Sequence, residues 1–134
     1  MLSVESLLIL TAGVIWGLVI GVIPGLGGLI AMALLLPFIY GMEPAIGIAL
    51  LLAAHASVGA GGAITSILIN TPGSPENAAT TFDGYRMAQR GEALKALGLT
   101  ASSSTIGGFF GIVVLVLTIP FLKAIMMSIG SAEY

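Results

Sequence analysis

The sequence predicts an all-α polytopic membrane protein whose helices are broken or re-entrant. The first observation is its composition: 57% of the residues are hydrophobic, 7% are charged, and the mean hydropathy is +1.14. A soluble domain of this size carries about 25% charged residues, so lipid must cover much of this surface. The second observation is that prolines and glycines interrupt the apolar segments, which predicts breaks within them.

Charged residues divide the chain into three apolar blocks, 6–42, 44–75 and 96–122. A straight span needs about 20 residues. The third block therefore fits one tilted helix, whereas the first two are too long for one span and short for two. We also interpret residues 1–23 as mature structure, because Glu5 stands where a signal peptide carries Lys or Arg. The predicted helices are 4–22, 29–40, 44–57, 62–70, 76–90 and 94–122.

Both long blocks contain a similar glycine-rich stretch. The sequence GLGGLI begins at Gly25 and GAGGAI begins at Gly59, 34 residues later. Each is followed by an apolar run and then by a proline, Pro37 or Pro72. The match predicts equivalent breaks in the two blocks, and a chance match of packing glycines is the alternative.

The length of the preceding helix predicts the depth of the breaks. The break at 23–28 follows about 16 helical residues, or roughly 24 Å, which is shorter than the ~30 Å hydrocarbon core. Irregular backbone at that depth is stable only when it is buried in protein or lines a wet cavity. The second break, 70–75, is expected at a similar depth, with an ordinary surface loop as the alternative.

A glycine recurs every four residues along the first predicted helix, at Gly13, Gly17, Gly21 and Gly25. Such a face lets another helix approach closely, either within the chain or in a homodimer. Ser103, Gly107 and Gly111 form a similar small face in the third block.

Several function classes are excluded by residues that the chain lacks. It has no cysteine, no Lys/Arg-rich patch for nucleic acid, and no ATP-binding P-loop. It also lacks the nucleophile and metalloprotease motifs G-x-S-x-G and H-E-x-x-H, so we predict neither an enzyme nor a metal site. His55 stands alone in the second block, where a hydrogen-bonded packing role is the simplest interpretation.

The segments GVIPGLGG, GGAITSILINTPGSP and DGYRMAQRGEALKALG resemble the large membrane subunit, TctA type, of tripartite tricarboxylate transporters. The terminal GSAEY resembles a family segment that continues into further helices. The resemblance implies that residues 1–134 are the N-terminal portion of a larger helical transporter, with no separate soluble domain. The chain departs from the family at Ala63, where Ser is common, and at Arg86, where Pro is common.

The resemblance implies a multi-pass permease subunit in the bacterial inner membrane that carries small carboxylates. A periplasmic solute-binding protein would deliver the solute, a small membrane subunit would complete the complex, and an ion gradient, H⁺ or Na⁺, would drive uptake without a cofactor. The alternative is a channel or an assembly module without transport activity of its own. By the positive-inside rule, Arg86, Arg90 and Lys95 are expected on the cytoplasmic side.

The predicted site combines the two breaks. The long blocks contain no Lys or Arg, so a carboxylate there needs oriented N–H groups, amides and hydroxyls. Asp83 precedes a glycine and is interpreted first as a turn cap and second as a ligand of the coupling ion. The residues predicted to bind the solute are Gly25, Gly27 and Gly28 through the backbone, and Ser66, Asn70 and Thr71 through their side chains.

Overall fold

The structure, a computed structural model, describes residues 3–128, with side chains to residue 123. No strand occurs in this range, and the predicted all-α class is confirmed. Three helical segments are long and apolar enough to cross a membrane: Val4–Val22, Pro44–Ile69 and Ala93–Lys123. The helices are α1 (Val4–Val22), α2 (Gly27–Leu35), α3 (Pro44–Ile69), α4 (Ala78–Gln89) and α5 (Ala93–Ser128), with 3₁₀ turns at Leu36–Ile39 and Pro75–Asn77.

Helices α1 and α3 pack side by side through the glycine face of α1. Gly13, Gly17 and Gly21 are buried, and a Cβ atom on any of them would collide with α3. The predicted glycine face is therefore confirmed as a packing surface within the chain, except that Gly25 lies beyond the end of α1. The opposing pairs are Gly13–Leu50, Gly17–Ala54 and Gly21–Val58, and their constant separation along the chain shows that the two helices are parallel.

Helix α2 returns toward the start of α3 and fills the space beside α1 and α3. Its buried Ala31 belongs to an apolar cluster with Ile20 and Val58. The indole N–H of Trp16 donates to the carbonyl of Ala31 at 3.2 Å, which ties α2 to α1. With its 3₁₀ extension, α2 covers 27–39, about 20 Å, so it is shorter than a full span.

The predicted interruption of α3 between 57 and 62 is wrong, because Pro44–Ile69 is one continuous helix. The glycines of GAGGAI are packing residues inside it: Gly61 lies against Gly21, and Gly62 lies against Gly73. The G-x-G-G-x-I match is therefore not structurally equivalent, since the first copy begins a helix and the second lies within one. Close packing offsets the roughly 1 kcal/mol that each helical glycine costs relative to alanine.

After α3 the chain folds back along its own helix. Asn70 ends α3 in the left-handed conformation, with φ of 56°. The backbone then returns so that Gly73 and Ser74 lie against Gly62, seven residues before the end of α3. Helix α4 runs forward again beside α3, and Gly84 packs on Ile67. The expected non-helical breaks are thus present at 23–26 and 70–74.

The described part of the chain divides into two compact units at residue 100. Helices α1 to α4 lie in the first unit. In the second, the side chains of 101–123 on α5 are nearly all exposed, and nothing lies within 4 Å of a Cβ placed on Gly107 or Gly111. The GSAEY segment falls outside the described residues.

Candidate solute-binding site at the two helix breaks

The two breaks meet directly. The backbone N–H of Gly25, in the first break, donates to the carbonyl of Gly73, in the second, at 3.3 Å. Gly73 is buried, and a Cβ there would collide with the carbonyl of Gly21 and the Cα of Gly62. Three glycines from α1, α3 and the second break thus allow backbone-to-backbone contact that no larger residue permits.

The first break leaves the start of α2 uncapped. Gly25 and Gly27 have positive φ angles of 86° and 53°, and the N-cap residue, Leu26, offers no side-chain hydrogen bond. The first N–H groups of a helix, here those of Gly27, Gly28 and Leu29, have no acceptor within the helix. They form an electropositive end suited to an anion. The N–H of Gly25 is already occupied by Gly73, so it is not a free donor in this conformation.

The second break is shaped by the backbone of Asn70. Left-handed conformations suit Asn better than most other non-glycine residues, and the N–H groups of Asn70 and Thr71 both point back to the carbonyl of Thr65. The side chains of Asn70 and Thr71 are exposed, and the Thr71 hydroxyl donates to Ile69 at 3.2 Å. Asn70 therefore has a structural role that the sequence analysis did not anticipate.

The predicted residues lie at different levels along α3. Ser66 is fully buried and donates its hydroxyl to the carbonyl of Gly62 at 2.8 Å, so that donor is used within the helix. Gly25 lies at the level of Gly62 through its contact with Gly73. Asn70 is eight residues farther along α3, or about 12 Å. The structure thus places Gly25 at the level of Gly62, Gly28 beside His55, and Asn70 with Thr71 farther along α3.

A polar network that was not predicted fixes the second break on α3. The amide of Asn77 donates to the carbonyl of Gly59 at 3.0 Å and to the hydroxyl of Ser74 at 2.9 Å. Asn77 and Ser74 are buried, at 7% and 4% exposure. Glu76, outside the spanning helices, has a lowered pKa, chiefly because the Ser74 hydroxyl and its own backbone N–H stabilise the carboxylate, with a smaller contribution from the charge of His55.

His55 does not lie in a closed core as a simple packing residue does. It is exposed, and its ring lies so close to Gly28 that a Cβ there would collide with Nδ1. A cavity of about 190 Å³ is lined by Gly28, His55, Ala56, Val58, Gly59 and Glu76. The sequence could have indicated His55 as a candidate site residue, since it is the one ionisable residue within the second apolar block.

The interpretation of Asp83 as a turn cap is wrong, because Asp83 and Gly84 lie inside α4. The glycine serves packing instead: a Cβ on Gly84 would be 2.7 Å from Ile67. Asp83 is exposed and lines a second cavity, of about 350 Å³, together with Thr80 and Thr100. Its role as a ligand of the coupling ion stays a prediction.

Comparison with known proteins places the chain among relatives of similar sequence. The profile of the tripartite tricarboxylate transporter TctA family matches residues 7–134. A protein from Agrobacterium vitis, described as an uncharacterized 52.8 kDa protein in the TAR-I ttuC' 3' region, is 35% identical over 122 residues. That alignment covers 91% of this chain and 24% of the relative, so the chain spans about a quarter of that protein's length. No solved structure matches the chain. The chain belongs to the tripartite tricarboxylate transporter TctA family.

Proposed function

We propose that this chain is part of the membrane permease of a secondary transporter that takes up small carboxylates. The observation that supports the proposal most is the junction of two helix breaks, joined by the hydrogen bond from Gly25 to Gly73. Interrupted apolar segments that meet within a membrane protein are typical of the binding sites of secondary transporters.

In this proposal the first turn of α2, directly after the first break, binds a carboxylate through the N–H groups of Gly27 and Gly28. The amide of Asn70 and the hydroxyl of Thr71 contact the solute at a second position, about 12 Å beyond the level of Gly62 along α3. Both positions supply donors without a permanent charge, as a site that must also release an anion requires.

The family to which the chain belongs supports the proposed partners. They are a periplasmic solute-binding protein that delivers the carboxylate and a small membrane subunit. The proposed location is the bacterial inner membrane, with an ion gradient as the driving force. The chain matches a quarter of a longer relative, and in this proposal further helices of the same transporter complete the site.

The test separates the two roles of Asn70. Asn70→Gly keeps the left-handed backbone at φ 56° and removes the amide, whereas Asn70→Ala removes the amide and strains the backbone. One hydrogen bond to a carboxylate is worth about 1.5–3 kcal/mol, so both variants should weaken solute affinity about tenfold to a hundredfold. Only Asn70→Ala should also lower thermal stability.

The measurement is equilibrium binding and uptake by the complete transporter in proteoliposomes. A panel of citrate, tricarballylate and succinate is used, and the best-transported compound is carried through all variants. Wild-type affinity in a normally expressed Asn70→Gly variant would disprove the role of the amide. Failure of the wild type to transport any small carboxylate would disprove the proposed function.

A further inference from the structure

His55 is an ionisable residue within α3, one of the helices long and apolar enough to span a membrane. It is the twelfth residue of α3 and lies about 17 Å from the start of the helix, so it is near the middle of a ~30 Å core if α3 enters at Pro44. Ionisable side chains in membrane helices are costly and usually face the bundle interior or a water-filled cavity. The exposed ring of His55 therefore indicates that this face of α3 lines a wet path.

The cavity beside His55 is formed by both breaks. Gly28, in the first turn of α2, lies against the imidazole, and Glu76, at the end of the second break, lines the same cavity. Helix α2 has no ionisable residue, and Glu5 of α1 is in the distant first turn of that helix. On α4 the ionisable residues are Asp83, Tyr85 and Arg86, and none of them lines this cavity. Among the described residues, Glu76 is thus the one charged group that shares the cavity with His55.

Glu76 is fixed at this position by the backbone and side chains around it. The Ser74 hydroxyl is the main cause of the lowered pKa of the Glu76 carboxyl, and Asn77 connects Ser74 to the carbonyl of Gly59 on α3. Gly59 is one turn beyond His55 on the same helix. The contact between the second break and α3 therefore keeps Glu76 beside the cavity that it shares with His55.

We propose that His55 binds the coupling proton of the transporter, with Glu76 as its counter-charge. The proposal rests on the proposed transport function. The ring nitrogen accepts a proton from water on one side of the membrane and releases it to water on the other side. While protonated, His55 carries a positive charge next to Gly28 and the free N–H groups of α2, so protonation and carboxylate binding favour each other.

The side chains point to a proton and not to a metal cation. Imidazole changes charge near neutral pH, whereas hard cations prefer several oxygen ligands. In the described part of the chain, no three His, Cys, Asp or Glu side chains are close enough to hold a metal ion. The cavity supplies one carboxylate and one imidazole, which is sufficient for a proton.

The experiment compares net accumulation with exchange in proteoliposomes that contain the complete transporter. The probe is whichever of radiolabelled citrate, tricarballylate or succinate the wild type exchanges fastest. Accumulation is driven by an acid-outside pH gradient, whereas exchange is measured at equal pH without a gradient. The variants are His55→Gln and Glu76→Gln, and the matched control is Glu43→Gln, which removes a carboxylate next to the start of the same helix.

His55→Gln should lower pH-driven accumulation at least tenfold and leave exchange at saturating solute concentration within about twofold of wild type, because saturation offsets the weaker binding expected without the charge of His55. Glu76→Gln should reduce the dependence of accumulation on external pH, and Glu43→Gln should match wild type in both assays. Full pH-driven accumulation by His55→Gln would overturn the proposal, as would a wild type driven by Na⁺ and not by the pH gradient. Loss of exchange together with accumulation would also overturn it, because His55 would then act in packing or solute binding. Absence of exchange in the wild type would instead disprove the proposed function.

Discussion

The contact between the second break and α3 is tested by two alanine substitutions on one helix. Gly62 and Gly59 both lie in α3, three residues apart. A Cβ on Gly62 would collide with the Asn77 amide and lie 3.2 Å from both Gly73 and Ser74, whereas nothing lies within 4 Å of a Cβ on Gly59. The two substitutions therefore add the same methyl group to the same helix with opposite consequences.

The magnitude follows from three contributions. Overpacking costs about 1–3 kcal/mol, and loss of a hydrogen bond from the displaced Asn77 amide costs about 0.5–1.5 kcal/mol. Replacing a helical glycine by alanine gains about 1 kcal/mol at either position. Gly62→Ala should therefore destabilise the fold by about 0.5–3.5 kcal/mol, whereas Gly59→Ala should stabilise it by about 1 kcal/mol.

The assay is reversible unfolding in mixed micelles with increasing SDS, monitored by the fluorescence of Trp16, the single tryptophan of the chain. The two variants should differ by about 1.5–4.5 kcal/mol in the free energy of unfolding. Equal stabilities, or a Gly59→Ala variant that is the less stable of the two, would refute the packing of the second break against Gly62.

Three further predictions concern packing, charge and topology. Gly17→Leu and Gly21→Leu should prevent stable assembly, because each side chain would collide with the backbone of α3. Val19→Leu, at a position that is 55% exposed, should express and assemble like wild type. Equal assembly of all three variants would contradict the glycine face. Ser74→Ala should raise the pKa of Glu76 toward its ordinary value of 4.5, because the largest cause of the lowering is removed. The stabilisation from ionised Glu76 is present above pH 4.5 and is lost as the pH falls through the lowered pKa, so between pH 6 and pH 3 the thermal stability of this variant should fall less than that of wild type. Identical pH profiles would contradict the role of Ser74. A cysteine at Gln89 should be labelled from the cytoplasmic side, beside Arg86 and Arg90, and labelling only from outside would reverse the assignment.

The membrane class, the end of α1 and the positions of the two breaks were predictable from local signals. Apolar length and composition determine which segments can span, and a proline between glycines disfavours regular helix at 23–28. The glycine face of α1 was also predictable, because the four-residue spacing of its glycines is visible in the sequence of that helix alone.

The continuity of α3 and the details of the site were not predictable in the same way. Gly59, Gly61 and Gly62 have weak helix propensity, and only the tertiary contacts of Gly61 with α1 and of Gly62 with the second break explain why they stay helical. The same tertiary contacts bring His55, Gly28 and Glu76 to one cavity although they lie far apart in sequence. Asp83 was misread because Asp-Gly is a turn signal, whereas here the glycine is required for close packing on Ile67.

The central claim is that the first turn of α2 lies in a water-filled path at membrane depth and binds the carboxylate solute. Because the chain has no cysteine, Leu29→Cys places a thiol at the third residue of α2, where the side chain is 76% exposed. The matched control is Leu8→Cys, at an apolar position of α1 that is 66% exposed.

The deciding measurement is the rate at which a charged, membrane-impermeant thiol reagent labels these two cysteines in proteoliposomes that contain the complete transporter. The account predicts that Leu29→Cys is labelled, that a saturating concentration of the transported carboxylate slows this labelling several-fold, and that Leu8→Cys stays unlabelled in lipid. A Leu29→Cys variant that resists the reagent, or that reacts at the same rate with and without the solute, would contradict the account.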